Sequence, residues 1–285
     1  MKLQAWSKTD PGRRRARNED SFLVEVGHGL FAVADGMGGH QGGETASRLA
    51  VEALRREIVQ AAAATPAGNP PASDGRRFTA PMAVADATDF SDDVRRATQP
   101  AMVGFSPKLA LLRHAVRDAS REIHDAAQDS EALHGMGTTL TAVLCEAVDA
   151  PIGMVGHILH AGDSRLYRYR AATIEQLTED HTWIAEQLRL GAITLDEAEK
   201  SRFRHVITKS IGFERYTDVD LASVPLLAGD VLLLCSDGLS NYIENDELGQ
   251  IMAQVAPDAL PGRLVDLANA RGGDDNITVV VVAIA

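Results

Sequence analysis

Five short runs of Val, Leu, Ile and Ala, each with turn residues at one end, constrain the fold of this chain most strongly. Short runs of this composition are typical of buried strands. They cover residues 30–34, 139–145, 152–161, 231–235 and 277–283. Buried strands need covering layers, which the rest of the chain must supply.

Two longer segments have the spacing of amphipathic helices and can supply such layers. Apolar residues recur on one helical stripe in residues 44–64 and again from residue 109 onward. The stripes consist of Ala46, Leu49, Ala50, Ala53 and Leu54 in the first segment and of Leu109, Leu112, Val116, Ala119, Ile123 and Ala126 in the second. Each helix has one apolar face, so both are expected to pack against a sheet. Further helices are predicted near 246–255 and 261–270.

Two irregular stretches interrupt these elements. Residues 65–107 are rich in Pro, Ala, Asp and Ser without a sustained period, and we interpret them as a flexible insertion, either a passive linker or a docking segment. In the second stretch, at about 180–210, Thr194 and Glu197 predict the capping box of a short helix. The order of elements predicts an α+β fold with helices layered on sheets, in one catalytic domain over 1–285.

Composition argues against several classes of protein. The formal net charge is −12, whereas nucleic-acid-binding proteins neutralise phosphates with Lys and Arg. No run approaches the length of a membrane span, and the first residues lack the apolar core of a signal peptide, so we expect a cytoplasmic protein. The two cysteines, Cys145 and Cys235, lie in apolar runs, which argues against a disulfide framework or a thiolate metal site.

Aspartates recur where the predicted strands end. Asp35, Asp163 and Asp237 each follow an apolar run, and Asp275 precedes the last run. Because the ends of neighbouring strands converge in space, these carboxylates can form one cluster. Carboxylates packed together raise one another's pKa, so the cluster is costly unless cations occupy it. Oxygen ligands without His or Cys favour Mg²⁺ or Mn²⁺ over Zn²⁺.

Each Asp-Gly pair taken alone has a simpler interpretation as a turn, since both residues favour turn geometry. Glycines follow Asp35 and Asp237, where they would let the backbone approach a ligand closely and leave the Gly36 carbonyl able to coordinate an ion. Four acids at four predicted strand ends favour the metal-site interpretation.

Seven segments carry a pattern that is more specific than any single motif. They are RARNED (15–20), VADGMGGHQGGETAS (33–47), GMGTTLTAV (135–143), HAGDSRLY (160–167), DHT (180–182), LLLCSDGLS (232–240) and GGDDNITVVVV (272–282). Together, and in this order, they closely resemble the metal-dependent protein phosphatases, the PPM or type 2C family, in their bacterial form. The resemblance implies a central β-sandwich of two antiparallel sheets flanked by helices, in four αββα layers.

The resemblance also implies two Mn²⁺ or Mg²⁺ ions at one end of the sandwich. Asp35 would bridge the ions, the Gly36 carbonyl would bind one of them, and Asp237 and Asp275 would bind the other. Glu19 would hold a metal-bound water.

A third, weaker ion is implied at Asp163 together with Asp237. Arg15 matches the phosphate-binding arginine of the family, three residues before Asn18, although its neighbours Arg13, Arg14 and Arg17 leave a plain surface arginine as an alternative. The stretch after His181 resembles a mobile flap beside the active site.

The activity implied by the resemblance is hydrolysis of phosphoserine and phosphothreonine in proteins, by attack of a metal-activated water at the two-ion centre. Two ions can acidify a shared water and neutralise the phosphoryl oxygens, and an arginine fork fits phosphate geometry. The expected partners are phosphorylated proteins, the substrates of a cognate Ser/Thr kinase, and we expect the chain to be a monomer.

The general acid stays open. In many eukaryotic relatives a histidine follows the Asp-Gly pair, whereas Met37 has that position here. His40 or His181 could serve, but a structural histidine or a metal-bound water as the acid is the preferred interpretation. Four further polar residues of the motifs are expected to orient ligands or form turns, namely Asp20, Ser164, Asp274 and Asn276.

Two other functions compete with this one. The first is a regulatory phosphoprotein-binding module of the same fold with little activity, against which the five retained carboxylates speak. The second is a nucleotide-binding phosphoryl transferase, which would normally show a GxxxxGK[ST] or GxGxxG loop after a strand. Neither loop is present in the sequence.

Overall fold

The computed structural model describes residues 1–38, 42–64, 106–149, 153–203 and 206–285. Within these ranges the strands are β1 (Leu3–Asp10), β2 (Asp20–Glu25), β3 (Leu30–Met37), β4 (Gly137–Thr138), β5 (Leu140–Ala147), β6 (Met154–Ala161), β7 (Arg165–Arg170), β8 (Thr173–Gln176), β9 (Asp220–Leu226), β10 (Val231–Cys235) and β11 (Ile277–Ile284). The α-helices in these ranges are α1 (Gly42–Ala64), α2 (Pro107–Asp129), α3 (Trp183–Arg189), α4 (Leu195–Glu199), α5 (Asp237–Ser240), α6 (Asn245–Gln254) and α7 (Leu260–Ala270).

The strands form two antiparallel sheets that pack face to face. Sheet A has the order β1-β11-β10-β7-β8, and sheet B has the order β2-β3-β5-β6-β9, with β4 paired to β3. Apolar side chains from the facing sides fill the space between them, among them Phe31, Val33 and Val143 of sheet B and Leu232, Leu234 and Val280 of sheet A. Burying two apolar sheet faces against each other is what makes this central pair of layers stable.

Helices cover the outer face of each sheet. The predicted stripes of α1 and α2 pack on sheet B, where Leu54, Leu112 and Ile123 are fully buried. Helices α6 and α7 cover sheet A through residues such as Leu248 and Leu264. The result is the predicted α+β architecture, a β-sandwich between two helical layers.

All five strands predicted from apolar runs are present, as β3, β5, β6, β10 and β11. The prediction missed β1, β2, β7, β8 and β9, because many of their side chains are only partly buried and they give no continuous apolar run. It also missed β4, which has only two residues. Strand β9 also contains Pro225, which is tolerated because β9 is an edge strand.

Other predictions concern the irregular stretches and the cysteines. The capping box is confirmed: Thr194 Oγ1 accepts from the Glu197 backbone N–H, and the Glu197 carboxylate accepts from the Thr194 N–H. Cys145 and Cys235 are buried and free. Most of the predicted insertion, residues 65–105, lies outside the described residues, as does His40. Among the described helices, none is long and apolar enough to cross a membrane.

Candidate metal centre

The register of β7 and β10 brings two of the predicted acids together. Cys235 at the end of β10 pairs with Arg165 at the start of β7. Because the strands are antiparallel, continuing two residues beyond this pair on each strand leads to Asp237 on one side and Asp163 on the other. The acids are 74 positions apart in the chain, and strand pairing makes them neighbours at one end of sheet A.

The pairing of β2 with β3 does the same in sheet B. Asp20 lies directly opposite Asp35, and the Gly36 N–H donates to the Glu19 carbonyl at 3.2 Å. A β-carbon at Gly36 would lie 2.1 Å from the Gly43 carbonyl oxygen, so this position accepts only glycine. The glycine therefore allows the start of α1 to pack against the strand end that carries Asp35.

Asn276 joins the two sheets at this end of the sandwich. Its side-chain oxygen accepts from the Glu19 backbone N–H at 2.7 Å, and its amide nitrogen donates to the carbonyls of Pro11 and Arg17. Its own backbone N–H donates to Asp275 Oδ1 at 2.9 Å. The Asn276 side chain thus fixes the segment that carries Glu19 beside the segment that carries Asp275.

These elements enclose a cavity of about 890 Å³. All seven residues singled out as site residues line it, namely Arg15, Glu19, Asp35, Gly36, Asp163, Asp237 and Asp275. The remaining lining residues are Met37, Gly38, Ile207, Gly238, Asn241, Tyr242, Asp274 and Asn276. Six carboxylates drawn from separate parts of the chain, those of the five predicted acids and of Asp274, therefore line one cavity.

Burial and mutual repulsion disfavour ionisation of these carboxylates. The pKa of Asp35 is raised well above its ordinary value, first by burial and then by the charges of Asp20, Asp237, Asp163 and Asp275. The pKa of Asp163 is raised to about 7, first by burial and then by its carboxylate neighbours. Six acids and one arginine line the cavity, so it concentrates negative charge.

Asp20 lies beneath the cavity. Its Oδ2 accepts from Ser236 Oγ at 2.8 Å and from Thr278 Oγ1 at 2.6 Å, which anchors it to sheet A. Its buried Oδ1 has no hydrogen-bond partner among the described residues. Burial raises the pKa of Asp20 to about 7, although both hydroxyl bonds act to lower it.

The donor set fits hard divalent cations. It consists of carboxylates and the Gly36 carbonyl, and no His or Cys side chain lines the cavity among the residues that the structure describes. Oxygen-only sites of this kind suit Mg²⁺ and Mn²⁺. A divalent cation would also remove the repulsion that raises the pKa values of Asp35 and Asp163.

The neighbouring arginines Arg14 and Arg15 make different contacts. Arg15 is the member of the cluster that lines the cavity, and its Nη2 lies 2.7 Å from Asp275 Oδ2. Its other N–H donors have no partner within the described part of the chain. Arg14 instead pairs with Asp274 at the rim, with 2.6 Å between Nε and Oδ1.

His181 does not line the cavity. It is buried, its Nδ1 accepts from the Gly162 backbone N–H at 3.2 Å, and its Nε2 lies 3.1 Å from Asp220 Oδ2. Both ring nitrogens are thus engaged in structural contacts, which favours the interpretation of His181 as a structural histidine.

Sequence reasoning missed three lining residues, Asn241, Tyr242 and Ile207. Tyr242 holds the rim together, because its hydroxyl donates to Asp274 Oδ2 at 2.7 Å and accepts from the Asp274 N–H at 3.1 Å. No motif or period in the sequence singles these residues out. They reach the cavity from the residues just after α5 and from the 180–210 stretch.

Comparisons with known proteins show the family and the fold. The sequence profile of a family described as Protein phosphatase 2C matches residues 12–260. The serine/threonine phosphatase stp of Listeria monocytogenes is 31% identical over 284 residues, which covers 98% of this chain and 95% of the relative.

Two solved structures also match. That of the serine/threonine phosphatase PstP/Ppp of Mycobacterium tuberculosis has a TM-score of 0.75 and 30% identity, and the match covers 100% of this chain and 99% of that one. A structure of the PstP catalytic domain in complex with 2 manganese ions has a TM-score of 0.74 and 30% identity, with 99% of each chain covered.

Proposed function

This chain belongs to the protein phosphatase 2C family and is a protein serine/threonine phosphatase, and on that premise we propose that it hydrolyses phosphoserine and phosphothreonine at a two-ion Mn²⁺ or Mg²⁺ centre in the cavity. One observation carries the proposal: six carboxylates line one cavity, where burial and mutual repulsion raise the pKa values of Asp35 and Asp163. Carboxylates clustered in this cavity without cations destabilise the fold, because they repel one another. Bound cations would offset that repulsion.

The ligand roles in this proposal are those that the family resemblance implies. The pKa of Asp35 is raised first by burial and then by the charges of Asp20, Asp237, Asp163 and Asp275, so its carboxylate interacts with the other acids of the cluster. In our proposal Asp35, the Gly36 carbonyl, Asp237 and Asp275 would hold the two cations. Glu19 holds a water in the same site. When bound, two such cations acidify a shared water for attack on phosphorus and neutralise charge on the phosphoryl oxygens.

Arg15 orients the phosphoryl group in this proposal. Its bond to Asp275 holds the guanidinium at the cavity wall, and its remaining N–H donors are available to phosphoryl oxygens. A guanidinium fork matches the spacing of those oxygens and adds positive charge where negative charge develops. Lysine at this position would supply charge without the fork.

Asp163 and Asp237 hold a third, weaker cation in this proposal. The strand register places them side by side, and Asp237 is the carboxylate that most raises the pKa of Asp163. Fewer protein ligands face this position than the two-ion site, which is why we expect weaker binding.

The expected substrates are proteins phosphorylated by a cognate Ser/Thr kinase, and we expect the chain to act as a monomer. The similarity to relatives that are named serine/threonine phosphatases supports the substrate class.

A phosphatase assay tests the proposal. A phosphothreonine peptide and p-nitrophenyl phosphate are each incubated with the protein in Mn²⁺, in Mg²⁺ and in EDTA. Turnover should require one of the two cations, because carboxylate and water ligands release these ions to a chelator. Full turnover after exhaustive chelation would exclude the two-ion centre. The Asp230→Asn variant, altered at the opposite end of β10, is the matched control and should retain the cation requirement of the wild type.

A further inference from the structure

The loop that carries Asp163 is held by the start of the 180–210 stretch. The Arg165 Nε and Nη2 atoms both donate to the Asp180 carboxylate, at distances from 2.7 to 3.1 Å. One residue further, the His181 N–H donates to the Gly162 carbonyl at 2.8 Å. Asp180 and His181, which are adjacent in the chain, therefore bond to residues on either side of Asp163.

The ion pair is well shielded from water. The side chains of Arg165 and Asp180 are 25% and 17% exposed, so solvent screens their attraction less than it would at the surface. Two more contacts complete it, since Arg165 Nη1 donates to the Tyr167 hydroxyl and Gln176 Nε2 donates to Asp180 Oδ1. A two-pronged pair fixes the orientation as well as the separation of its partners.

The pair does not touch the cavity. Neither Arg165 nor Asp180 lines it, yet Arg165 lies two residues from Asp163 and pairs across the sheet with Cys235, two residues from Asp237. A displacement of Arg165 would therefore change the spacing of the two carboxylates that we assign to the third cation.

We propose that Arg165 and Asp180 are positioning residues that hold Asp163 at the distance from Asp237 at which both bind the third cation. This inference rests on the proposed function. It adds that cation affinity at Asp163 depends on a contact made by the 180–210 stretch.

The same strand provides a matched control at its other end. Arg170 Nε and Nη2 donate to Asp230 Oδ1 and Oδ2, each at 2.6 Å, and Asp230 is 1% exposed. This second two-pronged pair has the same chemistry and lies at the end of β7 away from the cavity. Its loss should cost stability without changing cation binding.

The experiment compares Arg165→Lys and Asp180→Asn with Arg170→Lys and Asp230→Asn. Binding of Mn²⁺ is followed by calorimetry, and folding is checked by cooperative melting. We expect the first two variants to weaken the weakest Mn²⁺ site by about tenfold or more and to leave the tighter sites unchanged, as is usual when a ligand loses its supporting contact. Raised Mn²⁺ should restore their turnover. The two control variants should bind Mn²⁺ as the wild type does.

Identical Mn²⁺ isotherms for the Arg165 and Arg170 variants would overturn the inference. Asp180→Asn has the shape of the native residue, so it provides the measurement even if Arg165→Lys does not fold. The Asp163→Asn variant separates the positioning role from the third site itself. If Asp163→Asn loses the weak site and Asp180→Asn keeps it, the positioning role is wrong and the third site stands. If Asp163→Asn binds Mn²⁺ as the wild type does, the assignment of the third site fails, and the inference fails with it.

Discussion

Two aspartates flank strand β10 in different surroundings: Asp230, just before the strand, is buried, whereas Asp237, just after it, is partly exposed. At the start of the strand, Asp230 receives two hydrogen bonds from Arg170 and one from the Leu227 N–H at 2.8 Å. At the other end, Asp237 accepts from the Asn241 side chain at 3.1 Å and faces other carboxylates. The residue type and the strand are the same, and the charge that surrounds each aspartate differs.

The difference teaches how to distinguish a structural acid from a ligand. Asp230 has a cation supplied by the protein itself, so its burial is compatible with a closed, stable contact. Around Asp237 the acids outnumber the arginines, because Arg15 reaches Asp275 and Arg165 turns away to Asp180. Because acids outnumber arginines at this end of the strand, an external cation is expected there.

The largest effect is expected from substitutions of the acids that line the cavity. Asp35→Asn and Asp237→Asn should each lower turnover at saturating Mn²⁺ by at least about a hundredfold, because each removes an anionic ligand from the proposed centre. In EDTA both variants should melt at the wild-type temperature or above it, since each removes a repulsive charge. Steady-state kinetics and thermal melts measure these outcomes. Retention of most activity would remove that residue from the centre.

A substitution of Asp230, at the other end of β10, should have the opposite effects on stability and turnover. Asp230→Ala should destabilise the fold by about 2 kcal/mol, because it leaves Arg170 without its two charged hydrogen bonds. Turnover per folded molecule should stay at the wild-type level. Urea unfolding gives the stability, and an activity loss beyond the loss of folded protein would show that the two ends are not independent.

Cation binding should stabilise the cavity end. Mn²⁺ at about 100 times its dissociation constant adds about 2.7 kcal/mol to the free energy of unfolding, which corresponds to a rise in Tm of about 5–10 °C for a chain of this size. Asp230→Ala should show the same rise from a lower starting temperature, and Asp35→Asn should show a much smaller one. Thermal melts with Mn²⁺ and with EDTA measure the rise in Tm for each protein. An equal rise in Asp35→Asn would place the stabilising ion elsewhere.

Without metal, the acids at the cavity end should make stability depend on pH. The pKa values of Asp20 and Asp163 in the folded protein are raised from 3.8 to about 7. Their contribution to stability is therefore fully present below about pH 4 and is lost as the pH rises through about 7. In EDTA the free energy of unfolding should fall across this window, and the fall should be smaller in Asp20→Asn. If that substitution left the pH profile unchanged, Asp20 would not be a source of the dependence.

The smallest effect is expected from substitution of Asp163, which distinguishes the third cation site from the two-ion centre. Asp163→Asn should slow turnover while leaving the tighter Mn²⁺ sites unchanged, because in our proposal it serves the third cation alone. Calorimetry distinguishes the sites by their affinities. Loss of the tightest binding would show that Asp163 belongs to the two-ion centre.

Elements with continuous apolar runs could be predicted from sequence. The run at residues 231–235 predicts a strand and forms β10 with those bounds, since a strand in the middle of a sheet between two apolar layers needs apolar residues on both faces. Strand β7, its neighbour, reads RLYRYR and gives no such signal. Its arginines are compatible with a strand because Arg165 and Arg170 reach acids beyond its two ends.

The candidate site could be predicted through its acids, and the residues around it could not. Asp35, Asp163, Asp237 and Asp275 stand out because each interrupts the end of an apolar run or precedes one. Tyr242 and Ile207 give no local signal, since an aromatic or apolar residue in a turn or irregular stretch has many explanations. The role of Arg165 is equally hidden in the sequence, because its partner lies 15 positions away.

The sequence by itself determined which strands are buried, which helices are amphipathic and which acids terminate strands, because these properties depend on residues that are close together in the chain. Only the tertiary structure decided which charged groups surround each acid. Asp230 and Asp237 look alike in sequence, and strand pairing with β7 places an arginine against the first and a carboxylate beside the second. Electrostatic interaction depends on distance in space, so contacts between residues far apart in the chain decide whether a buried charge is structural or able to bind a metal.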